Sequence, residues 1–241
     1  MPAEVHRVFI APKNPNIKIW RYMDFTKYLS FLEKRALFFT RSDKFDDPYE
    51  GSTTQANVTN RSTVYKNASP SWLEQWSLWS RQWTYINCWH MNEYESAAMW
   101  SLYAKTNEAI AIQSTYQRLF DCLPPKTYVG KVHYIDYDKD WLPEGNTFFP
   151  YVHKRKSFEH EQELRAVIQE IPLNESGGFD KLKVNPESGR VINVDAQNLA
   201  EKVYVAPTAQ SWFVNLVKNV TLKYDLGVTV TTSSLDKEPV F

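Results

Sequence analysis

The amino-acid sequence predicts an α+β fold, with mixed, mainly antiparallel sheets and flanking helices. Three observations carry this expectation. Short runs rich in branched and aromatic residues outnumber helical ones, the connections between them vary widely in length, and the regular strand–helix alternation of a doubly wound sheet is missing. The 241 residues are expected to form one domain, since a chain of this size can bury a substantial core.

The elements follow in order. Ile17 to Met23 alternates as a strand, Asp24 caps a helix running to Lys34 with Phe25, Tyr28, Leu29 and Leu32 on its apolar face, and Ala36 to Thr40 is a second strand. Ser42 to Gly51 (SDKFDDPYEG) is a loop, and the polar stretch from Ser52 to Pro70 has no period and is expected to be a long surface excursion. Trp72, Trp76, Trp79 and Trp83 recur at helical spacing, which predicts a helix over about 71–83 with all four on one buried stripe. Tyr85 to Trp89 is a strand; Asn92 and Glu95 form an approximate capping box for a helix from Glu93 to Ala104. Strands then follow at Ala109–Gln113, Val129–Ile135 and Glu163–Gln169, with a helix at Thr115–Cys122. A wide hairpin containing Gly177 and Gly178 leads to a strand at Arg190–Val194. Lys202–Val205, a helix over about 209–219 and Val228–Thr232 complete the chain.

Composition excludes several classes. Hydrophobic residues at 43% and charged residues at 23% are ordinary for a globular protein, so disorder and fibrous architectures are not expected. Lys+Arg and Asp+Glu are 28 each, which removes any general electrostatic pull toward nucleic acid or membrane. Two cysteines cannot form a disulfide scaffold, and no long apolar run opens the chain, so a cytoplasmic location is expected. Gly-x-Gly-x-x-Gly, Gly-x-x-x-x-Gly-Lys and Gly-x-Ser-x-Gly are all absent.

Chemistry concentrates in a few places. Glu161, Glu163 and Arg165 alternate, so a strand beginning at Glu161 would set all three on one face, preceded by the cations Lys154, Arg155 and Lys156. Neighbouring carboxylates push their pKa values apart, which suits a site that stabilises a cation; a solvated charged edge is the plainer explanation. Arg21 lies between Trp20 and Tyr22, a setting for gripping phosphate or carboxylate, or for a salt bridge with Glu50 or Glu95. Phe45, Asp47 and Glu50 of the loop are expected to border the same cleft. His90, with Asp46 and Asp47, has the residue types of a metal site but no ligand spacing, and Cys88 reads as a core residue.

Four ordered segments, WRYMDFTKYLSFLEKRALFFTRSDKFDDPYEG, CWHMNEYESAAMWSLYA, KRKSFEHEQELRAVI and VYVAPTA, resemble a bacterial family known only as domain of unknown function 2971, over about residues 20–209. More loosely, the order of Arg-bearing strand, capped helix, short strand and a late strand announced by Glu-x-Glu is similar to the ADP-ribosyltransferase fold. That resemblance implies NAD as substrate and no metal, with Arg21 holding NAD, Glu163 steadying a ribosyl oxocarbenium ion and Glu161 orienting an acceptor. It also implies a transferase or glycohydrolase of the kind found among toxins and phage-defence proteins, acting on a protein or nucleic-acid target. The Ser-Thr-Ser motif of that fold has no match here. Two further readings stay open: a metal-dependent nuclease or phosphohydrolase built from Asp46, Asp47, His90 and the glutamate pair, and a non-catalytic binding module with an aromatic cleft.

Overall fold

A computed structural model describes residues 2–65, 70–103 and 107–240. The first unit forms as its residues dictate: β1 (Lys18–Asp24), α1 (Phe25–Lys34) and β2 (Ala36–Arg41). The Asp24 carboxylate accepts the Lys27 amide at 2.8 Å and so starts the helix. Arg35, in the left-handed region at φ 45°, ends it and turns the chain back into β2.

The remaining elements are α2 (Gln55–Val64), α3 (Pro70–Ser80), β3 (Thr84–Met91), α4 (Ala97–Tyr103), β4 (Ala109–Thr115), α5 (Tyr116–Cys122), β5 (Tyr128–Lys131) and β6 (His133–Ile135). After these come β7 (His153–Arg155), β8 (Glu163–Gln169), β9 (Gly189–Asn193), α6 (Ala196–Leu199), β10 (Lys202–Val205), α7 (Ser211–Lys223) and β11 (Thr229–Thr232). Nine strands make one sheet, ordered β11-β10-β4-β1-β3-β2-β9, with β8 on β3 and β5 on β8. All its pairings are antiparallel except β10 with β11, and β6 and β7 form a separate parallel pair. The fold is thus mixed α/β with a mostly antiparallel sheet and flanking helices.

The sheet forks at β3. One edge of β3 pairs with β8 from Thr84 to His90. Its other edge takes β2 at Tyr85 and Ile86 and β1 at His90 and Met91, leaving Asn87 to Trp89 between the two. Side chains fill this gap: Arg21 Nη1 donates to the Cys88 carbonyl at 2.7 Å, and Asn87 Nδ2 donates to the Phe38 carbonyl at 2.9 Å. Unpaired backbone groups inside a sheet demand such partners. One face of the fork carries the main core, with Tyr28, Phe39, Tyr85, Trp89, Ile110, Ile112, Leu164 and Phe213 at its centre.

Several expectations require correction. The stretch 52–70 is not all loop: Gln55–Val64 is helical, capped by the Thr54 hydroxyl. Its buried residues are Asn57 and Arg61, one turn apart, so it docks through polar contacts that leave no hydrophobic period. Asn57 exchanges two 2.8 Å hydrogen bonds with the Leu142 backbone, and Arg61 pairs with Glu144. Residues 66–69 lie outside the described residues. The tryptophans do lie on a helix and the turn that ends it, but only Trp83 is buried, and Trp72 is 46% exposed; they stack on one another and on Phe179 instead of the sheet. The Asn92–Glu95 box does not form. Asn92 closes a local turn on Tyr94, Ser96 caps α4, and Glu95 reaches Trp100 and Ser234. The far end expected for that helix, Ala104, is outside the described residues. The strand expected over 129–135 breaks at Val132 into β5 and β6, and β9 pairs with β2, not as a hairpin with β8.

Candidate functional site

Three adjacent strands bring the polar residues together. The register aligns Trp20 with His90 and His90 with Glu163, so these three share one face of β1, β3 and β8. Alternation adds Tyr22, Cys88 and Arg165 to that face, Cys88 standing opposite Arg165. α4 lies over the β1 side, where Trp20 and Tyr22 pack with Met99 and Trp100, and the Tyr22 hydroxyl accepts the Ser96 amide at 2.9 Å.

On the β8 side lies a buried charge cluster. Arg165, 0% exposed, donates through Nε to Glu163 at 2.6 Å and through both terminal nitrogens to the two oxygens of Glu50, at 2.6 and 2.8 Å. Lys154 bridges the second oxygen of Glu163 at 2.6 Å and Glu161 at 2.5 Å. Glu161 does not begin the strand. It ends a 3-10 turn over Lys156–Glu161, and Gln162, left-handed at φ 44°, redirects the chain so that Glu161 still meets Glu163 on the same ammonium. Glu50 arrives because Gly51, at φ +71°, lets its loop press on Tyr151; a Cβ at that position would lie 2.6 Å from the tyrosine ring.

Three carboxylates share two cations, and their proton affinities separate. Burial alone would raise Glu163, but Arg165, Glu161 and Lys154 outweigh it and hold this carboxyl well below the usual range. Burial, then the hydrogen bond and charge of Glu163, pushes Glu161 up to about 7, against the pull of Lys154. One carboxylate is a fixed anion, and the other exchanges a proton near neutral pH. Because Glu161 binds its proton more tightly in the folded state, its stabilising contribution is full below about 4.5 and is lost as pH rises through about 7. Urea unfolding from pH 5 to pH 8 is therefore expected to show a decline that Glu161→Gln flattens; an unchanged slope in that variant would refute the assignment.

Arg21 is not in direct contact with the glutamates. Alternation roots Arg21 on the opposite face of β1 from Trp20, His90 and Glu163, opposite Ile112 of the main core, so it does not share a face with Glu163 as the resemblance implied, and its guanidinium reaches into the fork. Among the described residues it forms neither of the expected salt bridges, because Glu50 is taken by Arg165 and Glu95 by Trp100 and Ser234. Burial depresses its pKa, and the groups that counteract this are Cys88 and Tyr103. Both also feel Glu163, so the fork and the charge cluster adjoin through them. Tyr103, at the end of α4, is pushed up by burial and by Glu161, Cys88 and Glu163. Cys88 is likewise raised by burial.

Of the other expected residues, Glu50, His90 and Tyr22 join this face; Phe45 packs with Ile86 and Tyr151 in the apolar cluster that also takes Cys88, and Asp47 pairs with Arg155 at 2.9 Å. Asp46, Asp47 and His90 do not converge, and no group of three or more His, Cys, Asp or Glu among the described residues is placed to hold a metal ion. Sequence reasoning passed over Tyr103 and Tyr134, whose hydroxyl accepts the Glu163 amide at 2.8 Å, and it named Lys154 only as one of the cations preceding the glutamate pair. The only signal for Lys154 was the Lys-Arg-Lys run, which has the form of a solvated charge run.

A cavity of about 170 Å³ opens beside Glu163, lined among others by Met91, Lys131, Tyr134 and Gln162. A larger open hollow of about 570 Å³ lies away from these residues, between Arg118, Cys122 and Asp195, and holds none of this chemistry. No helix among the described residues is long and apolar enough to cross a membrane. No family model, curated protein or solved structure matches the chain.

Proposed function

We propose that the chain cleaves the nicotinamide–ribose bond of NAD and passes the ribosyl group to water or another acceptor, with an ADP-ribosyltransferase-like arrangement of its central strands. One observation carries the reading: two touching carboxylates with separated proton affinities stand one strand away from the fork that holds Arg21. Breaking the glycosidic bond sends its electron pair to the nicotinamide nitrogen and leaves a cation shared between C1′ and the ring oxygen. An ionised Glu163 favours that cation over the neutral sugar. The acceptor oxygen then bonds C1′, and its proton passes to ionised Glu161, whose affinity near neutrality suits the transfer. Tyr103, half exposed at the end of α4, supplies aromatic surface for a flat cationic ring, and Tyr22 and Trp100 pack edge to face within the buried cluster under α4.

A cavity of 170 Å³ is smaller than the roughly 300 Å³ or more of usual small-molecule sites. On this reading only the reacting end of the dinucleotide is enclosed, and Arg21 must leave the Cys88 carbonyl to meet its phosphates. Arg21→Ala is expected to weaken NAD binding by about tenfold to a hundredfold, the loss of a hydrogen bond to a charged group, with a smaller change in turnover. Incubation with NAD, followed by quantifying free nicotinamide, tests the whole proposal. A protein that neither binds NAD nor releases nicotinamide overturns it.

A further inference from the structure

The middle strand of the site carries a polar group that the proposed reaction does not use. His90 is 4% exposed and stands between Trp20 and Glu163 on their common face. Its Nδ1 lies 2.7 Å from the Glu161 carbonyl. A carbonyl only accepts, so Nδ1 carries the proton and Nε2 presents a bare lone pair. That Nε2 is buried and has no hydrogen-bond partner among the described residues. The same contact that fixes the tautomer ties the ring to the residue before Gln162, so ring and glutamate pair are positioned together. A buried acceptor left unpaired costs free energy, and such groups in native proteins call for an explanation.

We infer that His90 Nε2 is a selectivity element that accepts a hydrogen bond from a neutral N–H donor on the ligand, namely the nicotinamide carboxamide, and excludes a carboxylate at that place. This rests on the proposed cleavage of NAD, because only there does the leaving ring lie next to Glu163. Cross-strand neighbours stand about 5 Å apart at Cβ, so His90 is the β3 side chain directly beside Glu163, where the leaving ring is released. The edge of Tyr22 borders His90 at 6.3 Å between ring centroids and confines the ring from the β1 side. Carboxylate oxygens at that place would face the Nε2 lone pair with no proton to give it, whereas the carboxamide N–H supplies one. Burial lowers the affinity of His90 for a second proton, so the imidazole does not readily become a cation that could welcome the acid.

Deamido-NAD, in which a carboxylate replaces the carboxamide, provides the probe without any mutation. The wild-type protein is expected to prefer NAD by on the order of a hundredfold or more in kcat/KM, as sites built around a buried hydrogen bond do. His90→Phe keeps the flat ring but removes the acceptor, and His90→Gln returns an acceptor oxygen near the position of Nε2. The Phe variant is expected to lose most of the preference and the Gln variant to recover part of it, while far-ultraviolet circular dichroism checks that both fold. Nitrogen-15 spectra of the histidine ring are expected to show the Nδ1–H tautomer, with the Nε2 resonance moving on addition of nicotinamide and not of nicotinate. Equal cleavage of NAD and deamido-NAD by the wild type, or a preference untouched in the Phe variant, overturns this inference and leaves NAD cleavage standing. Cleavage of neither nucleotide overturns the parent reading, and this inference with it.

Discussion

Replacing Arg165 by methionine is expected to destabilise the fold by about 3–5 kcal/mol, the largest single effect on stability anywhere in the charge cluster. The reason is that removing one member of a buried ion network leaves its partners buried and uncompensated. Glu50 loses both of its 2.6–2.8 Å contacts at once, and Glu163 keeps only Lys154. Burial already pushes Glu50 upward even beside Arg165, so without the guanidinium it is expected to take up a proton on folding. The loss is therefore expected to be smaller at pH 5 than at pH 8, the reverse of ordinary acid sensitivity. Changing Glu50 to glutamine in the same background removes one stranded charge and is expected to restore part of the stability. Equilibrium unfolding in urea measures all three variants, and a loss under about 1 kcal/mol in Arg165→Met would mean that the cluster is solvated and that its separated proton affinities are not real.

How much of this was legible in the sequence depends on the kind of contact that decides each element. β8 begins and ends where the residues indicate, because Glu163 to Ile168 is buried on both faces, as a short apolar run bounded by polar residues predicts. β1, α1 and β2 also follow from local chemistry: a capping aspartate, an apolar helix face and a branched run. α2 was invisible because Asn57 and Arg61 hold it by hydrogen bonds to Leu142 and Glu144, some eighty residues away. At the site, the alternation of Glu161, Glu163 and Arg165 pointed to the right cluster through a wrong local geometry. The left-handed Gln162 breaks the strand, and Lys154 restores the convergence. Glu50 was named as a border of the cleft and proves to be its buried anchor, a role set by the fit of Gly51 against Tyr151 and not by the loop's own turn chemistry. The fork at β3 depends on which strands share one edge, so no stretch of sequence announces it. Arg21 was recognisable as an unusual strand arginine, yet the carbonyl it binds was not.

Glu163→Gln is expected to lower nicotinamide release from NAD by on the order of a hundredfold to a thousandfold while leaving NAD binding close to that of the wild type. Glutamine keeps the size of the side chain and can still accept from Lys154 or Arg165, but it carries no charge to set against a ribosyl cation. An interaction made chiefly in the transition state appears in kcat and kcat/KM alike and leaves the ground state alone. The structural cost is limited because Lys154 retains Glu161 and Arg165 retains Glu50, so both cations keep a carboxylate. Loss of the neighbouring charge also removes one cause of the raised affinity of Glu161, which is expected to shift the limb of the pH–rate profile set by Glu161 to lower pH. A structural role for Glu163 predicts something else: a lower unfolding temperature, weaker NAD binding and residual activity that follows the folded fraction, with no movement of that limb. Steady-state kinetics across pH, calorimetric NAD binding and thermal unfolding on the same preparation separate the two. A Glu163→Gln protein that binds NAD normally and turns it over at the wild-type rate would remove Glu163 from the chemistry altogether.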